Sequence, residues 1–566
     1  MKGSQAIIEM LNKYDVKHVF GLIGETTFPL YETWDSIDKV RHIFGRDERN
    51  LAIMAEAYAR VTGKPGVFEV PGVGASYTLP GVSEAFISGT PIIELSSDVS
   101  TYSEKKNFLT EYDKELMFRG VTKETFNVTQ SRDIPRYIRR AFRTATTGPT
   151  GPVFMRFPLD VYEGEVDEGD IYAQTEFSSY PSIRLTCDDS RIEKAIRLIT
   201  QSSRPVIICG QGILYSGAGK ELVELSEALK IPVGTTISGK GAFPETHPLS
   251  IGVVGSRGGT DFSTSIINSA DLIFFVATNT DSASTSTWKL PGVDTKATLI
   301  QLDVSEKELG NNYNVNLCLL GDAKLILSRM LSMVASKGIS MTGYEGDIEA
   351  ARSRWEKKLG TFVKLEEPVD PITFVKGMEE YIDRISAITA DPGVGAIYTS
   401  AYMKCNSAGR KFIFNYSVGG LGYAVPAAIG AAFGSGKMVT CLTTDGSLSF
   451  NEGELETVAR EELPIKLFVF NNGSYGWIRA TMLSDYGRVL KGTQFYPVNY
   501  EYIAKAYGLD YYTIDRTSEV HDTMRRIYSD DKPSMINVRV LPEDKLLPPV
   551  PEWKHIASDG KTPYLG

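Results

Sequence analysis

Two polar residues that follow neighbouring strand-like runs are the part of this sequence best suited to bind a metal ion. Residues 438–442 predict a strand that stops at Thr444-Asp445-Gly446, and residues 465–470 predict a second strand that ends in Asn471-Asn472-Gly473. Because both strands of a parallel βαβ unit end on the same edge of the sheet, Asp445 and Asn472 should face one another. One carboxylate and one amide oxygen suit Mg²⁺, which completes its coordination with phosphates and water.

Each of the two motifs is also ordinary loop chemistry when it is taken alone. TDG and NNG are both common turn sequences, and a turn is the simpler interpretation of either one. In a turn after a strand, the backbone N–H groups of Gly446 and Ser447 are candidate donors to phosphate oxygens. Between the two motifs, a helix should begin at Asn451 or Glu452.

Together, and at this spacing, the motifs resemble the thiamine-diphosphate signature, in which GDG is followed about two dozen residues later by NN. Thr444 stands here where that signature has its first glycine. The resemblance implies that Asp445 and Asn472 bind Mg²⁺ through their side chains and that Ser474 binds it through its carbonyl oxygen. It also implies a group of residues at the thiamine diphosphate itself, namely Gly395, Gly446, Ser447, Tyr475 and Gly476.

A second, distant segment supplies a candidate catalytic glutamate. Residues 45–70 have helical spacing from Glu48 through Met54 and Tyr58, followed by a glycine turn and a strand. On its own, Glu48 is a charged residue at a helix start. The segment resembles the first domain of acetohydroxyacid synthases and their relatives, where a glutamate hydrogen-bonds the aminopyrimidine ring of the cofactor. That resemblance assigns the same role to Glu48, and burial should raise its pKa.

The resemblance covers nearly the whole chain and implies an α/β fold of three doubly wound parallel-sheet domains. Strand-like runs alternate with helix-period segments throughout, which is typical of such sheets. We expect a pyrimidine-binding domain at 1–170, a central Rossmann-like domain at 186–345 and a diphosphate-binding domain at 370–545. A mixed-charge stretch bridges the second and third domains. Residues 546–566 are rich in proline and glycine and predict either a disordered tail or a lid over the site.

Further site residues are implied by the same resemblance. In GGLGYAVPAAIGAAFG the family places a bulky apolar residue under the cofactor, which corresponds to Leu421 beside Gly419; ordinary packing of the leucine is the alternative. Glu25 replaces a family glycine and is a candidate acid near the thiazolium ring. Thr110 replaces a family glutamine and is a second candidate catalytic residue. The family shares each active site between subunits, so a homodimer or a homotetramer is implied.

Other departures from the family concern the substrate. An arginine of the middle domain corresponds to Asn279, and a tryptophan after the metal loop corresponds to Thr481. Loss of an arginine removes a bidentate, charge-assisted contact with a carboxylate. This favours a second substrate without a carboxylate, such as an aldehyde or an acyl-CoA thioester.

The function that we expect is that of a thiamine-diphosphate and Mg²⁺-dependent transferase or lyase. A 2-oxoacid loses CO₂ and its acyl unit joins a second carbonyl group, with acetolactate formation from pyruvate as the default. The alternatives are a 2-hydroxyacyl-CoA lyase or oxalyl-CoA decarboxylase, another 2-oxoacid decarboxylase, and a non-catalytic thiamine-diphosphate-binding regulatory subunit. The five histidines lie outside the segments that resemble cofactor loops, which disfavours a decarboxylase that relies on histidine for proton transfer.

Composition excludes some other classes of partner. The net charge of −10 gives no electrostatic reason to expect nucleic acid or an anionic membrane. No stretch approaches the roughly 18 apolar residues of a membrane span, and the N-terminus lacks the apolar segment of a signal peptide. The five scattered cysteines predict reduced thiols and a cytoplasmic protein. In PVIICGQGILYSGAG the third glycine is poorly spaced for a dinucleotide fingerprint, so FAD is not expected, while ADP or a similar nucleotide stays open.

Overall fold

The computed structural model describes residues 1–362 and 364–546, and these residues form two compact units. One unit consists of Met1–Ile183, Ser417–Val439 and Ser449–Ile465. The other consists of Arg184–Tyr416, Thr440–Leu448 and the described residues from Lys466 onward. Most of the predicted tail, from residue 547, lies outside the described residues. Three six-stranded sheets with flanking helices build the two units, so the predicted α/β fold class is confirmed.

The first sheet belongs to the N-terminal unit and has the strand order β2-β1-β3-β4-β6-β5 with parallel pairing. Its strands are β1 (His18–Gly21), β2 (Arg41–Phe44), β3 (Gly66–Val70), β4 (Ile92–Asp98), β5 (Glu124–Asn127) and β6 (Val153–Pro158). Its helices are α1 (Gly3–Lys13), α2 (Phe28–Ser36), α3 (Glu48–Thr62), α4 (Ala75–Ser88), α5 (Lys114–Phe118), α6 (Ile134–Thr146) and α7 (Leu159–Glu163). In α6, Ile134, Ile138, Ala141 and Ala145 follow the helical period and are buried in the core against this sheet.

The second sheet has the order β12-β11-β10-β7-β8-β9, which is the Rossmann order of strands. Its strands are β7 (Pro205–Cys209), β8 (Val233–Thr235), β9 (Ser250–Val253), β10 (Leu272–Val276), β11 (Thr298–Asp303) and β12 (Leu317–Leu320). Its helices are α8 (Asp189–Gln201), α9 (Gly212–Ser216), α10 (Gly219–Leu229), α11 (Asp261–Asn268), α12 (Ala323–Ser336) and α13 (Glu345–Leu359). The mixed-charge stretch forms most of α13. Ile348 and Ala351 of that helix are buried in the core of this sheet, because an apolar stripe runs through its charged residues.

The third sheet has the order β14-β13-β15-β16-β18-β17, which repeats the order of the first sheet. Its strands are β13 (Ala387–Ala390), β14 (Phe412–Phe414), β15 (Val439–Thr444), β16 (Ile465–Asn471), β17 (Asp510–Ile514) and β18 (Ser534–Arg539). The helices of this block are α14 (Pro371–Glu379), α15 (Val394–Tyr402), α16 (Ala424–Ser435), α17 (Asp445–Leu448), α18 (Leu455–Arg460), α19 (Gly476–Tyr486), α20 (Tyr500–Ala506) and α21 (Val520–Ile527).

Helices α16 and α18 pack within the N-terminal unit. Helix α16 lies against α3 so closely that a side chain at Gly430 would overlap the backbone of Met54. The small residues around Gly430 therefore allow close approach of two backbones. Within the described residues, no helix is both long enough and apolar enough to cross a bilayer.

Candidate active site

The order of the third sheet creates a crevice between β13 and β15. The chain continues to β14 on one side of this pair and to β16 on the other, and ligands of open α/β sheets bind at such a reversal point. Asp391 follows β13 and accepts a hydrogen bond from the Thr443 hydroxyl at 2.7 Å. After Gly393, helix α15 begins at this edge, and after β15 helix α17 begins with Asp445.

Asp445 is buried and receives backbone hydrogen bonds from two segments. Its Oδ1 accepts the N–H of Gly446 at 2.8 Å, and its Oδ2 accepts those of Asn472 at 3.1 Å and Gly473 at 2.6 Å. Burial raises the pKa of Asp445 to about 6, although the three N–H groups favour the charged form. The structure thus brings Asp445 and Asn472 together. β15 runs to Thr444, further than expected, and Asp445 starts a short helix instead of lying in a turn.

The Asn472–Ser474 loop is held by its own side chains and by a segment that the sequence does not indicate. Asn472 Oδ1 accepts hydrogen bonds from Ser474 N at 2.9 Å and Ser474 Oγ at 3.1 Å. The carbonyl of Ser474 accepts the N–H of Gly476 at 3.0 Å, and Tyr475 N donates to the Thr493 carbonyl at 2.9 Å. Because the Thr493 contact is made by backbone atoms, no residue type in the sequence predicts it.

The two backbone donors expected for phosphate are engaged within the chain. Gly446 N donates to Asp445, and Ser447 N donates to the Thr444 hydroxyl at 3.2 Å, an interaction that glycine at position 444 could not make. The side chain of Ser447 is different, because its Oγ is buried and has no hydrogen-bond partner among the described residues. A buried hydroxyl in this state suits a phosphate oxygen or a metal-bound water.

These residues fit a magnesium ion with a diphosphate better than a metal held by protein alone. Among the residues that the structure describes, no group of three or more His, Cys, Asp or Glu side chains could hold a metal ion. A carboxylate, an amide oxygen and a carbonyl form a sparse set of hard ligands, which Mg²⁺ accepts when phosphate oxygens complete the octahedron. Asp445, Asn472 and Ser474 carry oxygens of these three kinds, and the Ser447 hydroxyl, which has no partner among the described residues, suits a phosphate oxygen.

Glu543 is a residue of this crevice that sequence reasoning missed. It is buried, accepts the backbone N–H of Val394 at the start of α15, and lies 3.4 Å from the Asn472 amide nitrogen. Burial, together with the nearby charge of Asp445, raises the pKa of Glu543 to about 7. A side chain at Gly476 would overlap Glu543. The glutamate comes from the end of the third block, and no local motif distinguishes it.

Two of the predicted cofactor residues have packing roles. An added Cβ at Gly395 would lie 2.9 Å from both Leu442 and Phe470, so this glycine lets α15 approach the sheet. The Tyr475 and Phe495 rings pack edge-on, with their centroids 4.6 Å apart, and both rings contact Gly446. In the central domain, Gly210 and Gly212 pack against the residues that follow β10, so the fingerprint-like glycines also serve close packing.

Glu48 begins helix α3 in the N-terminal unit. The side chain of Asp47 caps this helix and accepts the N–H of Arg49 at 2.9 Å. An added Cβ at Gly74 would lie 2.7 Å from Glu48 Oε1, so this glycine leaves room for the carboxylate. Burial is the main cause that raises the pKa of Glu48, and the charges of Asp47 and Glu69 act in the same direction. The direction is the one expected from the sequence.

Loops from several strands meet beside Glu48 at the edge of the first sheet. Gly72 is their common point, because its N–H donates to Thr26 Oγ1 at 3.1 Å and its carbonyl accepts the Tyr112 hydroxyl at 3.2 Å. Glu25, next to Thr26, is exposed, and Thr110 has a left-handed backbone with φ of 74°. The structure therefore brings the segments of Glu25 and Thr110 to this edge, each held through a neighbouring side chain.

A buried network behind these loops was also missed. Glu69 on β3 accepts the Tyr31 hydroxyl at 2.5 Å and lies 3.1 Å from His42 Nε2, while Tyr31 and His42 are 3.0 Å apart. Burial and the adjacent Glu69 carboxylate raise the pKa of Tyr31. These residues come from three separate elements, and only tertiary structure joins them.

The loop that carries Leu421 is fixed by a carboxylate of the same unit. Glu84 on α4 accepts the backbone N–H groups of Val418 at 2.7 Å, Ser417 at 3.3 Å and Gly419 at 3.4 Å. Gly419 and Gly422 both have φ of 80°, which favours glycine at each position. Leu421 itself is 37% exposed. An exposed leucine on a tightly held loop suits contact with an apolar ligand surface better than core packing.

Comparisons with known proteins agree with these features. Three models of thiamine pyrophosphate enzymes match the chain: the N-terminal TPP binding domain at residues 1–117, the central domain at 192–330 and the C-terminal TPP binding domain at 391–538. A probable acetolactate synthase large subunit of Methanocaldococcus jannaschii is 30% identical, with 97% of this chain and 94% of the relative covered. A protein of the same description from Methanococcus aeolicus is also 30% identical, with 96% of this chain and 93% of the relative covered.

A third relative is slightly less similar in sequence. The acetolactate synthase large subunit of Lactococcus lactis subsp. lactis is 28% identical, over 98% of this chain and 95% of the relative. The matched ranges contain β1–β4 of the first sheet, all six strands of the Rossmann-type sheet, and β14–β17 with most of β18 of the third sheet. This chain is therefore an enzyme of the thiamine pyrophosphate family, similar over almost its whole length to acetolactate synthase large subunits.

Proposed function

We propose that this enzyme uses thiamine diphosphate and Mg²⁺ to join two 2-oxoacids with loss of CO₂, and that pyruvate is turned over to acetolactate. The observation that carries the proposal is the contact of Asp445 with the Asn472 loop at the reversal point of the third sheet. Relatives named acetolactate synthase support the choice of reaction. When bound, the cofactor would supply the carbon nucleophile that such a reaction needs.

The residues of the two units then take distinct roles. Asp445, Asn472 and the Ser474 carbonyl would hold Mg²⁺, and the Ser447 hydroxyl would donate to a diphosphate oxygen. Glu48 would donate a hydrogen bond to the aminopyrimidine ring, and burial, which raises its pKa, favours the protonated form that such a bond needs. The Leu421 side chain would pack against the bound cofactor.

Glu25 and Thr110 remain candidates for proton handling near the substrate. Both segments lie on the edge of the first sheet that carries Glu48. Exposure of Glu25 leaves its carboxylate accessible to a ligand or to a second chain.

We also propose that the active unit is a homodimer or a homotetramer that shares its active sites between copies. Large apolar side chains are exposed on loops and in the first turns of helices of the N-terminal unit, which is typical of a protein interface. They include Ile23, Phe28, Val73, Tyr77, Phe108 and Leu109. We further propose that the protein is cytoplasmic, as its five scattered cysteines indicate.

The test is CO₂ release and acetolactate formation from pyruvate with added Mg²⁺ and thiamine diphosphate, with Glu48→Gln in parallel. We expect product with the native chain and a loss of at least about 100-fold in kcat with the variant, which removes a proton-transfer residue. Binding of thiamine diphosphate by both proteins, measured by calorimetry, is the control. Bound cofactor without pyruvate turnover would refute the proposed reaction and direct the search to aldehydes and acyl-CoA thioesters.

A further inference from the structure

Glu69 is a fully buried carboxylate on β3 that no lysine or arginine of residues 1–362 and 364–546 pairs with. Its Oε1 accepts the Tyr31 hydroxyl at 2.5 Å, and His42 Nε2 lies 3.1 Å from the same oxygen. Tyr162 of α7 also interacts with Glu69 electrostatically. Its Oε2 is buried and has no hydrogen-bond partner among the described residues. Because burial of a carboxylate without a cation is costly, Glu69 is a candidate for a functional role.

A gap over β1 allows the Glu69 and His42 side chains to meet. Gly21 lies beside Glu69 in the pairing of β1 with β3, and Val19 lies beside His42 in the pairing of β1 with β2. Because side chains two residues apart on a strand share a face, Glu69 and His42 project from the same face of the sheet. An added Cβ at Gly21 would overlap both Glu69 Oε1 and His42 Nε2. The position of the carboxylate is therefore set by the strands of the sheet.

The loop that follows Glu69 leads directly to the Glu48 carboxyl group. β3 ends one residue after Glu69, and the Pro71 carbonyl accepts the N–H of Gly74 at 2.8 Å. Gly74 borders Glu48, because an added Cβ there would lie 2.7 Å from Glu48 Oε1. On the other side, the strand that carries His42 is the one from which the chain continues to Glu48. Glu69 and His42 therefore belong to the two strands whose following segments border Glu48.

Other charged groups stand near Glu48, but their effects are offset. Asp47 acts on Glu48 in the same direction as Glu69, yet Asp47 is paired with Arg49, whose Nη2 lies 2.6 Å from its Oδ2. Arg49 acts on Glu48 in the opposite direction. Glu454 contacts the start of α3 and accepts two N–H groups of that segment, each at 2.9 Å. Glu69 therefore acts on Glu48 without a cation partner among the described residues.

We propose that Glu69 is a positioning residue for Glu48, because its fixed carboxylate keeps the Glu48 carboxyl group in the form that donates a hydrogen bond to the aminopyrimidine ring. This inference rests on the proposed function, which places Glu48 at that ring. Two neighbouring carboxyl groups do not both ionise easily, so the group with the better donors ionises and the other keeps its proton. The Tyr31 hydroxyl and His42 favour ionisation of Glu69. Glu69 thus acts through Glu48 and needs no contact with the substrate.

The first test follows the Glu48 carboxyl group itself, in the full-length chain without cofactor. Each protein is compared with the same protein carrying Glu48→Gln, so that infrared difference spectra isolate the Glu48 C=O band, which is then titrated with pH. Glu69→Gln keeps the shape of the side chain and removes its charge. We expect the Glu48 titration midpoint to fall by at least about half a pH unit. Tyr31→Phe removes one donor that keeps Glu69 ionised, so it should shift the midpoint in the same direction by less.

The second test is the pH profile of the holoenzyme with pyruvate. kcat should decline with rising pH as Glu48 loses the proton that it donates. In Glu69→Gln this decline should begin at lower pH, again by at least about half a pH unit, because Glu48 ionises more readily without the neighbouring charge. A purely structural role of Glu69 would instead lower kcat at every pH and leave the position of the decline unchanged, which would overturn the inference.

Glu94→Gln is the matched control. Glu94 is also a buried glutamate, on the neighbouring strand β4, and it accepts the Thr78 hydroxyl at 3.1 Å. Burial raises the pKa of Glu94 well above its usual range, so its replacement removes no charge and should leave the Glu48 midpoint in place.

An unchanged midpoint in Glu69→Gln, or an equal shift in Glu94→Gln, overturns the inference and leaves the proposed function intact. If Glu69→Gln does not fold, an unchanged midpoint in Tyr31→Phe overturns it. If the native enzyme does not turn over pyruvate, the proposed function fails, and the midpoint measured without cofactor still decides whether Glu69 acts on Glu48.

Discussion

Ser447→Ala should stabilise the cofactor-free protein while it weakens cofactor binding. The Ser447 hydroxyl is fully buried and has no partner among the described residues, and a buried polar group in that state costs about 1–3 kcal/mol. Alanine removes that cost and leaves the backbone bond to Thr444 in place. Since a small cavity offsets part of the gain, we expect a net stabilisation of about 1 kcal/mol. For a chain of 566 residues that unfolds as one unit, that raises the Tm by roughly 1 °C.

Bound cofactor should reverse the sign of the effect. A hydroxyl that donates to an anionic phosphate oxygen contributes about 1.5–3 kcal/mol. Its loss corresponds to a Kd for thiamine diphosphate that is at least about tenfold higher at saturating Mg²⁺. Loss of the same hydroxyl therefore acts in opposite directions in the free and the bound protein.

The assay is thermal unfolding without cofactor, followed by calorimetric titration of thiamine diphosphate with Mg²⁺. Ser534→Ala is the control, because Ser534 Oγ is also buried without a partner among the described residues but lies at the opposite end of the sheet, where β18 begins. It should raise the Tm and leave the Kd unchanged. The reasoning is refuted if Ser447→Ala lowers the Tm of the cofactor-free protein or binds cofactor as tightly as the native chain.

Three further variants test the buried titratable groups. Glu543→Gln removes a negative charge beside Asp445 and should tighten binding of the diphosphate roughly tenfold at pH 8. At pH 6, below the Glu543 pKa of about 7, the gain in affinity should be smaller. Equal tightening at both pH values would contradict the role of the Glu543 charge. Burial raises the pKa of Asp303 to about 7, so the folded chain binds more protons than the unfolded chain between about pH 4 and 7 and loses stability as pH rises there. Asp303→Asn should remove that loss, seen as a higher Tm than the native chain at pH 8 and a similar Tm at pH 4. Burial lowers the pKa of His18 to about 4, so stability falls as pH drops from about 6.5. His18→Phe should flatten this acid limb in a Tm series, and an unchanged limb would exclude His18 as its cause.

The sequence alone determined the central features of the site. Asp445 and Asn472 could be paired because parallel strands end on one edge of a sheet, so two residues after successive strands must meet there. Glu48 could be placed at a helix start because the apolar spacing after it has the helical period. Both arguments depend on regular structure, which local spacing encodes.

Only the tertiary structure decided how the site is supported. The Thr444 hydroxyl accepts a hydrogen bond from Ser447 N, and Glu543 lies in the crevice near Asp445. The Arg257 guanidinium lies over the Trp477 ring. These contacts join loops and segments that are remote in the chain, and their geometry follows from sheet order and loop packing. A strand order such as β14-β13-β15-β16-β18-β17 depends on which apolar faces pack together, so no short stretch of sequence predicts it.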